Sequence, residues 1–219
     1  MSTDAPNKGN TVKMYHGPLT RLKQIKNRFS FLIISLLTLM VVYPYVEGSQ
    51  TLGEPILRLF LSVILFASVY ALSDTNKHLF IALCIAIPTF ILNVMFFFHI
   101  NEFLVPLSMV LFISFNVYTA FTIHLHIFHK HISGDSSVTI DTVLGAISVY
   151  LLMGLSWAGA YNLLETLNPG SFYIDAMHNV DLQMTWSDFL YFSFATLTTL
   201  GYGDIVPITS QGRSLAMLE

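Results

Sequence analysis

The sequence predicts an all-α membrane protein, and three observations predict it. Of the 219 residues, 54% are hydrophobic and only 11% charged, whereas a soluble domain carries about a quarter charged residues. Mean hydropathy is +0.64. Uncharged stretches cover 29–46, 59–73, 78–101, 103–129 and 142–164, and about 20 mainly apolar residues cross the hydrocarbon core of a bilayer as a helix. Lysine and arginine are crowded before the first stretch: Lys8, Lys13, Arg21, Lys23, Lys26 and Arg28. That asymmetry predicts a cytoplasmic N-terminus, with Lys77 and Lys130 inside and the acids Glu47, Glu54, Glu102, Glu165, Asp175, Asp181, Asp188 and Asp204 outside or near the outer face.

Taken in order, residues 1–28 are polar, basic and aperiodic, and read as a cytoplasmic tail. The tail runs directly into the first apolar stretch without a small-residue cleavage site, so that stretch is expected to act as an uncleaved anchor. Residues 29–133 hold four predicted spans joined by short loops, which favours antiparallel neighbours in a bundle. The second span reaches sufficient length only if it starts near Pro55 and holds Arg58 in its first turn, where the guanidinium can snorkel to the interface. Pro44, Pro88 and Pro106 lie in or near spans and predict kinks. The single cysteine, Cys84, lies inside the third span and excludes a disulfide framework. It reads as lipid-facing or packed. Asn93 and Asn116 are expected to form hydrogen bonds between helices.

A histidine-rich segment, His124-Leu-His126-Ile-Phe-His129-Lys-His131, closes the bundle. Helical spacing sets 126 beside 129, so proton sensing or a two-ligand metal site competes with a plain amphipathic helix end, and the plain reading is favoured. A polar linker at 134–141 leads into a fifth span. Gly145, Gly154, Ala158 and Gly159 give that span small surfaces, and 154/158 has the spacing that lets helices approach closely. Residues 165–184 form a turn-rich outer loop whose Glu165, Asp175 and Asp181 would concentrate cations. Thr185-Trp-Ser-Asp188 reads as a capping box opening a helix of thirteen residues to Thr198, about 20 Å long. It is too short to span and fits a re-entrant helix buried in protein.

Twelve residues then follow without precedent in the rest of the chain: Thr196-Leu-Thr-Thr-Leu-Gly-Tyr-Gly-Asp-Ile-Val-Pro207. Glycines at 201 and 203 permit positive φ, which residues with a Cβ resist, so carbonyls of one extended strand can be turned to a common side. Together with the preceding short helix, this segment resembles the pore module of the potassium channel family, six-span and single pore-loop type, whose filter reads Thr-x-Gly-Tyr-Gly. Leu200 stands where valine or isoleucine is usual. The handling of the ion by backbone carbonyls is a known property of that filter, applied here.

The resemblance implies a site. Carbonyls of Thr199, Leu200, Gly201 and Tyr202, with the Thr199 hydroxyl, would coordinate K+, the permeant ion rather than a cofactor; no other cofactor is expected. Gly203 completes the filter, while Asp204, Tyr191, Phe192 and Thr198 would support it. Leu200 and Tyr202 side chains would point away from the ion. Ala195 stands where some members carry a carboxylate paired with the aspartate after the filter, so Asp204 is expected to lack that partner. The resemblance is sharp over 185–213 and architectural over 29–164. It implies a homo-tetramer in the plasma membrane bilayer, or a hetero-tetramer with complete subunits, because four filter strands must face one axis.

Two departures qualify it. The fourth span, 103–128, contains no arginine or lysine, so no gating charge is present to move through the membrane field and intrinsic voltage sensing is not expected. Second, only twelve residues follow Pro207, too few at about 1.5 Å each to cross about 30 Å. The inner helix is therefore expected to be largely missing from 134–219, the pore module. Hence the competing expectation of a truncated, non-conducting or regulatory subunit. No glycine-rich nucleotide loop, catalytic triad or zinc motif is apparent, so neither an enzyme nor a nucleic-acid partner is expected; a membrane enzyme built on the histidines would require further ligands, and only His78 lies near.

Overall fold

The computed structural model describes residues 28–47, 53–73, 76–97, 104–132, 139–175 and 184–219. The expected basic tail and the acid at position 181 lie outside these residues. Five long helices come first: α1 (Arg28–Glu47), α2 (Gly53–Ala71), α3 (Asn76–Phe97), α4 (Val105–Ile132) and α5 (Ile140–Leu167). Four of them are long and apolar enough to cross a membrane, over Phe29–Val46, Asn76–Met95, Val105–His129 and Ile140–Leu167. α2 is the shorter case, with its apolar stretch confined to Pro55–Ala71. The chain is a multi-pass membrane protein.

Lipid cannot hydrogen-bond a backbone, so each span must satisfy its own polar groups. The hydroxyls inside the spans do the same. Thr38, Thr89, Ser114, Thr119, Ser148 and Ser156 each donate to the carbonyl four residues earlier, at 2.6–2.9 Å. Asn116 follows this pattern and corrects the expectation of an interhelical bond: its Nδ2 donates to Phe112 O at 2.7 Å within α4. Asn93 Nδ2 is buried without a partner among the described residues. Pro44 and Pro88 lie inside α1 and α3. Pro106 occupies the first turn of α4, where a missing N–H costs nothing. Cys84 is exposed on α3, the lipid-facing option.

The helices close on each other in a ring. α1 packs on α2, α2 on α3, α3 on α4 and α4 on α5, while α5 returns to α1. The largest of these interfaces joins α4 to α5. Leu32, Leu36 and Leu39 of α1, Ile64 and Leu65 of α2, Phe115 of α4 and Leu152 and Leu155 of α5 fill the interior. Large apolar side chains such as Phe31, Ile34, Phe66, Phe80 and Phe121 remain exposed, as a lipid-facing surface requires. The outer span begins slightly before the linker was expected to end. Thr139 caps α5, its Oγ1 accepting from Thr142 N, so the helix starts at Ile140.

The C-terminal part adds β1 (Phe172–Ile174), α6 (Trp186–Leu197), β2 (Ile205–Pro207) and α7 (Ser210–Leu218). The two strands pair antiparallel, Phe172 with Pro207, Tyr173 with Val206 and Ile174 with Ile205. No strand was expected at 172–174: the segment is only three residues long and flanked by turn formers. The Glu165 carboxylate accepts from the N–H groups of Gly170, Ser171 and Phe172 at 2.6, 2.9 and 3.2 Å. These bonds close the turn after α5.

Candidate functional site: a re-entrant helix and glycine-punctuated strand

α6 supports the site. Its start is the expected capping box: Thr185 Oγ1 accepts from Asp188 N, and the Asp188 carboxylate accepts from Thr185 N at 2.8 Å. Two orphan amides are thereby satisfied, and the negative side chain sits at the positive end of the helix. The helix is 12 residues long, ending one residue before the expected boundary with Thr198 as its C-cap. α6 packs against α5 through a glycine. A Cβ built on Gly154 would lie 2.5 Å from the Phe194 ring, so any larger residue there would displace α6. Gly145 and Gly159 instead face Ile127 and Ile113 of α4. The sequence left the partner of this small-residue surface open between an inner helix and a neighbouring subunit; within one chain it is shared by α4 and α6.

The strand leaves the C-terminal end of α6 under tight backbone control. Thr198 N donates to Phe194 O at 3.0 Å and Thr199 N to Thr196 O at 2.8 Å, while Leu200 N and Gly201 N both reach Ala195 O, at 2.9 and 3.2 Å. The Thr198 hydroxyl also donates to Phe194 O. Beyond this anchor, φ is positive at Thr199 (59°), Gly201 (54°) and Gly203 (79°). Every second residue is left-handed. Two of the three were legible as glycines; Thr199 was not. A β-branched residue resists that region, and among the described residues it is the one non-glycine to occupy it. Strain of this kind persists only where surrounding bonds enforce it, and the four amides donating to 194–196 supply that enforcement. The negative end of the α6 dipole lies beside this segment, which favours a cation there.

Behind and above the strand, Tyr191 lies parallel to Tyr202, with ring centroids 6.3 Å apart and planes 8° apart. Its hydroxyl donates to Asp204 Oδ2 at 2.7 Å. Asp204 Oδ1 accepts from Ile205 N at 3.1 Å, and its carbonyl accepts from Asp175 N at 2.9 Å. Asp204 has no acidic partner at Ala195, as expected, and pairs with a phenol instead. The phenol of Tyr191 reaches the carboxylate that Ala195 cannot offset with an acid of its own. Desolvation, and then the bond to Asp204, push the Tyr191 phenol up to about 12, so it keeps the proton it donates. Phe192 behaves differently. It is buried and meets Tyr161 and Phe172 edge-on at 5.0 and 5.6 Å, bracing α6 against α5 and β1. Leu200 and Tyr202 are 58% and 67% exposed in the single chain.

A cluster missed at the level of sequence joins three helices behind the site. Ser193 Oγ lies 2.9 Å from Gly154 O and 2.6 Å from Glu219 Oε1. The other carboxyl oxygen of Glu219 accepts from the Tyr161 hydroxyl. A glutamate at the end of an otherwise apolar run was the one available signal. The histidine segment lies apart in sequence, on α4. His124 stacks on Phe128 and His78 Nδ1 pairs with the Tyr118 hydroxyl at 3.1 Å. Among the described residues no three His, Cys, Asp or Glu side chains are placed to hold a metal; the side chain of His131 lies outside them.

Comparison with known proteins finds similarity over this part of the sequence. Residues 142–219 fit a family model described as "Ion channel", which covers α5, α6, the glycine-punctuated strand and α7. The voltage-gated potassium channel Kch of Escherichia coli (strain K12) is 35% identical to the chain over 101 residues, or 46% of this chain and 21% of that protein. The chain thus spans about a fifth of the length of the curated relative it matches. No solved structure matches the chain. The matched part of the molecule holds the re-entrant helix and the strained strand, while α1 to α4 lie outside the family match.

Proposed function

We propose that the chain is a subunit of a potassium-selective channel, acting as a tetramer in the plasma membrane with its N-terminus in the cytoplasm. The observation that carries this reading is the left-handed backbone at Thr199, Gly201 and Gly203. Alternation between residues of positive and negative φ turns successive carbonyls to one side of the strand. The carbonyls of Thr199, Leu200, Gly201 and Tyr202, with the Thr199 hydroxyl, then replace the hydration oxygens that K+ gives up. Gly203 makes the turn toward Asp204, and the Tyr191–Asp204 bond holds the outer end of the strand.

One strand offers oxygens from one direction only, so several chains must surround the ion; four give a closed ring of equivalent contacts. The exposure of Leu200 and Tyr202 supports this reading, because neighbouring subunits would cover two large side chains otherwise left beside an aqueous path. The absence of arginine and lysine from Val105–His129 of α4 supports conduction without an intrinsic voltage sensor. Basic residues concentrated before α1 support the orientation.

Reconstitution into liposomes under a potassium gradient tests the proposal. Potassium and rubidium should pass and sodium should be strongly excluded, with G201A abolishing the flux because alanine resists positive φ. Equal sodium and potassium flux through the reconstituted protein would overturn potassium selectivity.

A further inference from the structure

The three contacts behind the filter contain a proton-counting problem. Ser193 Oγ is within hydrogen-bond distance of two acceptors, the Gly154 carbonyl at 2.9 Å and Glu219 Oε1 at 2.6 Å. A serine hydroxyl has one proton and can donate to only one of them. Tyr161 uses its own proton on Glu219 Oε2. With Glu219 ionised, two protons would have to fill three contacts, and one oxygen pair would face each other at close range without a hydrogen. With Glu219 protonated, the count closes. The Tyr161 hydroxyl donates to Oε2, the carboxyl O–H on Oε1 donates to Ser193 Oγ, and Ser193 donates to Gly154 O.

The surroundings agree with that assignment. The partners of Glu219 are two hydroxyls, with no cationic side chain among them, and Tyr161 is enclosed by Trp157, Phe172 and Phe192. Glu219 itself is partly buried, and a carboxylate there without a cationic partner gives up part of its hydration, whereas a hydrogen-bonded neutral acid gives up far less. Gly154 belongs to α5, Ser193 to α6 and Glu219 caps α7, so one chain of three bonds ties the outer helix, the re-entrant helix and the helix following the filter.

We propose that Glu219 is a positioning residue for ion conduction, held as a neutral carboxylic acid, which locks α6 and α7 to α5 and so sets how long the filter stays in its conducting form. The inference rests on the channel reading given above and deepens it. Movement of α7 would reach the strand through Ser193, which precedes the anchoring carbonyl of Ala195 by two residues.

Single-channel recording of the full chain in bilayers, with an infrared spectrum of the same protein at neutral pH, tests it. E219Q is the decisive variant. Its amide oxygen accepts from Tyr161 and its N–H donates to Ser193, reproducing the polarity of the neutral acid, so conducting dwell times should stay within about twofold of wild type. E219A and S193A should each shorten those dwell times about tenfold, the scale of a lost buried hydrogen bond, with little further loss in the double variant. The wild-type spectrum should contain a protonated-carboxyl carbonyl band that E219Q lacks. Dwell times are read from assembled channels alone, so poor folding of E219A does not mimic the result, and S193A provides a second route. An E219Q channel as impaired as E219A, or a wild-type spectrum without that band, would overturn the neutral acid. Unchanged dwell times in both E219A and S193A would overturn the positioning role. A wild-type protein that passes no potassium would instead refute the channel reading.

Discussion

Tyr191 shows how one side chain can take over a task assigned elsewhere. Alanine at 195 leaves Asp204 without an acidic partner on α6, yet the phenol one turn earlier on the same helix reaches it at 2.7 Å while its ring lies along Tyr202. Removing the hydroxyl alone separates these two contributions. Y191F should retain the ring contact and lose the bond, and because bonds to charged groups are the stronger kind the conducting state should decay roughly tenfold faster. Macroscopic current decay during sustained potassium flux measures this; decay no faster than wild type would show that the Asp204 bond is irrelevant to the filter. Thr199 sits at the other extreme. Nothing about its residue type signals φ of 59°, and the amide bonds to 194–196 impose it.

Among the elements, α6 depends on two local features of different kinds. The capping box is encoded within four residues, and its loss is correspondingly local: T185A should lower stability by about 0.5–2 kcal/mol, read as a drop in thermal midpoint of the detergent-solubilised protein, with unitary conductance unchanged. The α5–α6 contact is encoded across 40 residues. Leucine at Gly154 would put several atoms where the Phe194 ring already lies within 2.5 Å of a bare Cβ position. Overpacking of this kind costs about 1–3 kcal/mol or displaces a helix. G154L should therefore abolish flux, and G154A with F194L should restore part of it; failure of the pair to recover any flux would mean that Gly154 serves something other than this approach.

For the whole molecule, voltage dependence turns on the charge that the spans carry. Each elementary charge crossing the field is worth about 2.3 kcal/mol per 100 mV, and α4 offers none between Val105 and His129. In symmetrical potassium the open probability should stay nearly flat across about 200 mV, since there is no charge to translate in the field. A steep sigmoidal conductance–voltage curve would require a charge carrier elsewhere in the molecule.

Local chemistry carried much of this protein in plain view. Spans are readable because lipid penalises every unsatisfied backbone group and every charge, which leaves long uncharged runs. The α6 start and the glycines at 201 and 203 are readable because caps and positive φ restrict residue type at fixed short spacings. The contacts that required the folded chain all join residues distant in sequence: β1 with β2, Gly154 with Phe194, Tyr191 with Asp204, and Tyr161 with Ser193 and Glu219. Serine, tyrosine and glutamate are compatible with many partners, so their types name no particular one. Even Asn116, read as a link between helices, turned back to its own. Which acceptor a hydroxyl finds depends on where packing brings the helices, and that is settled by the fit of buried side chains across the whole ring.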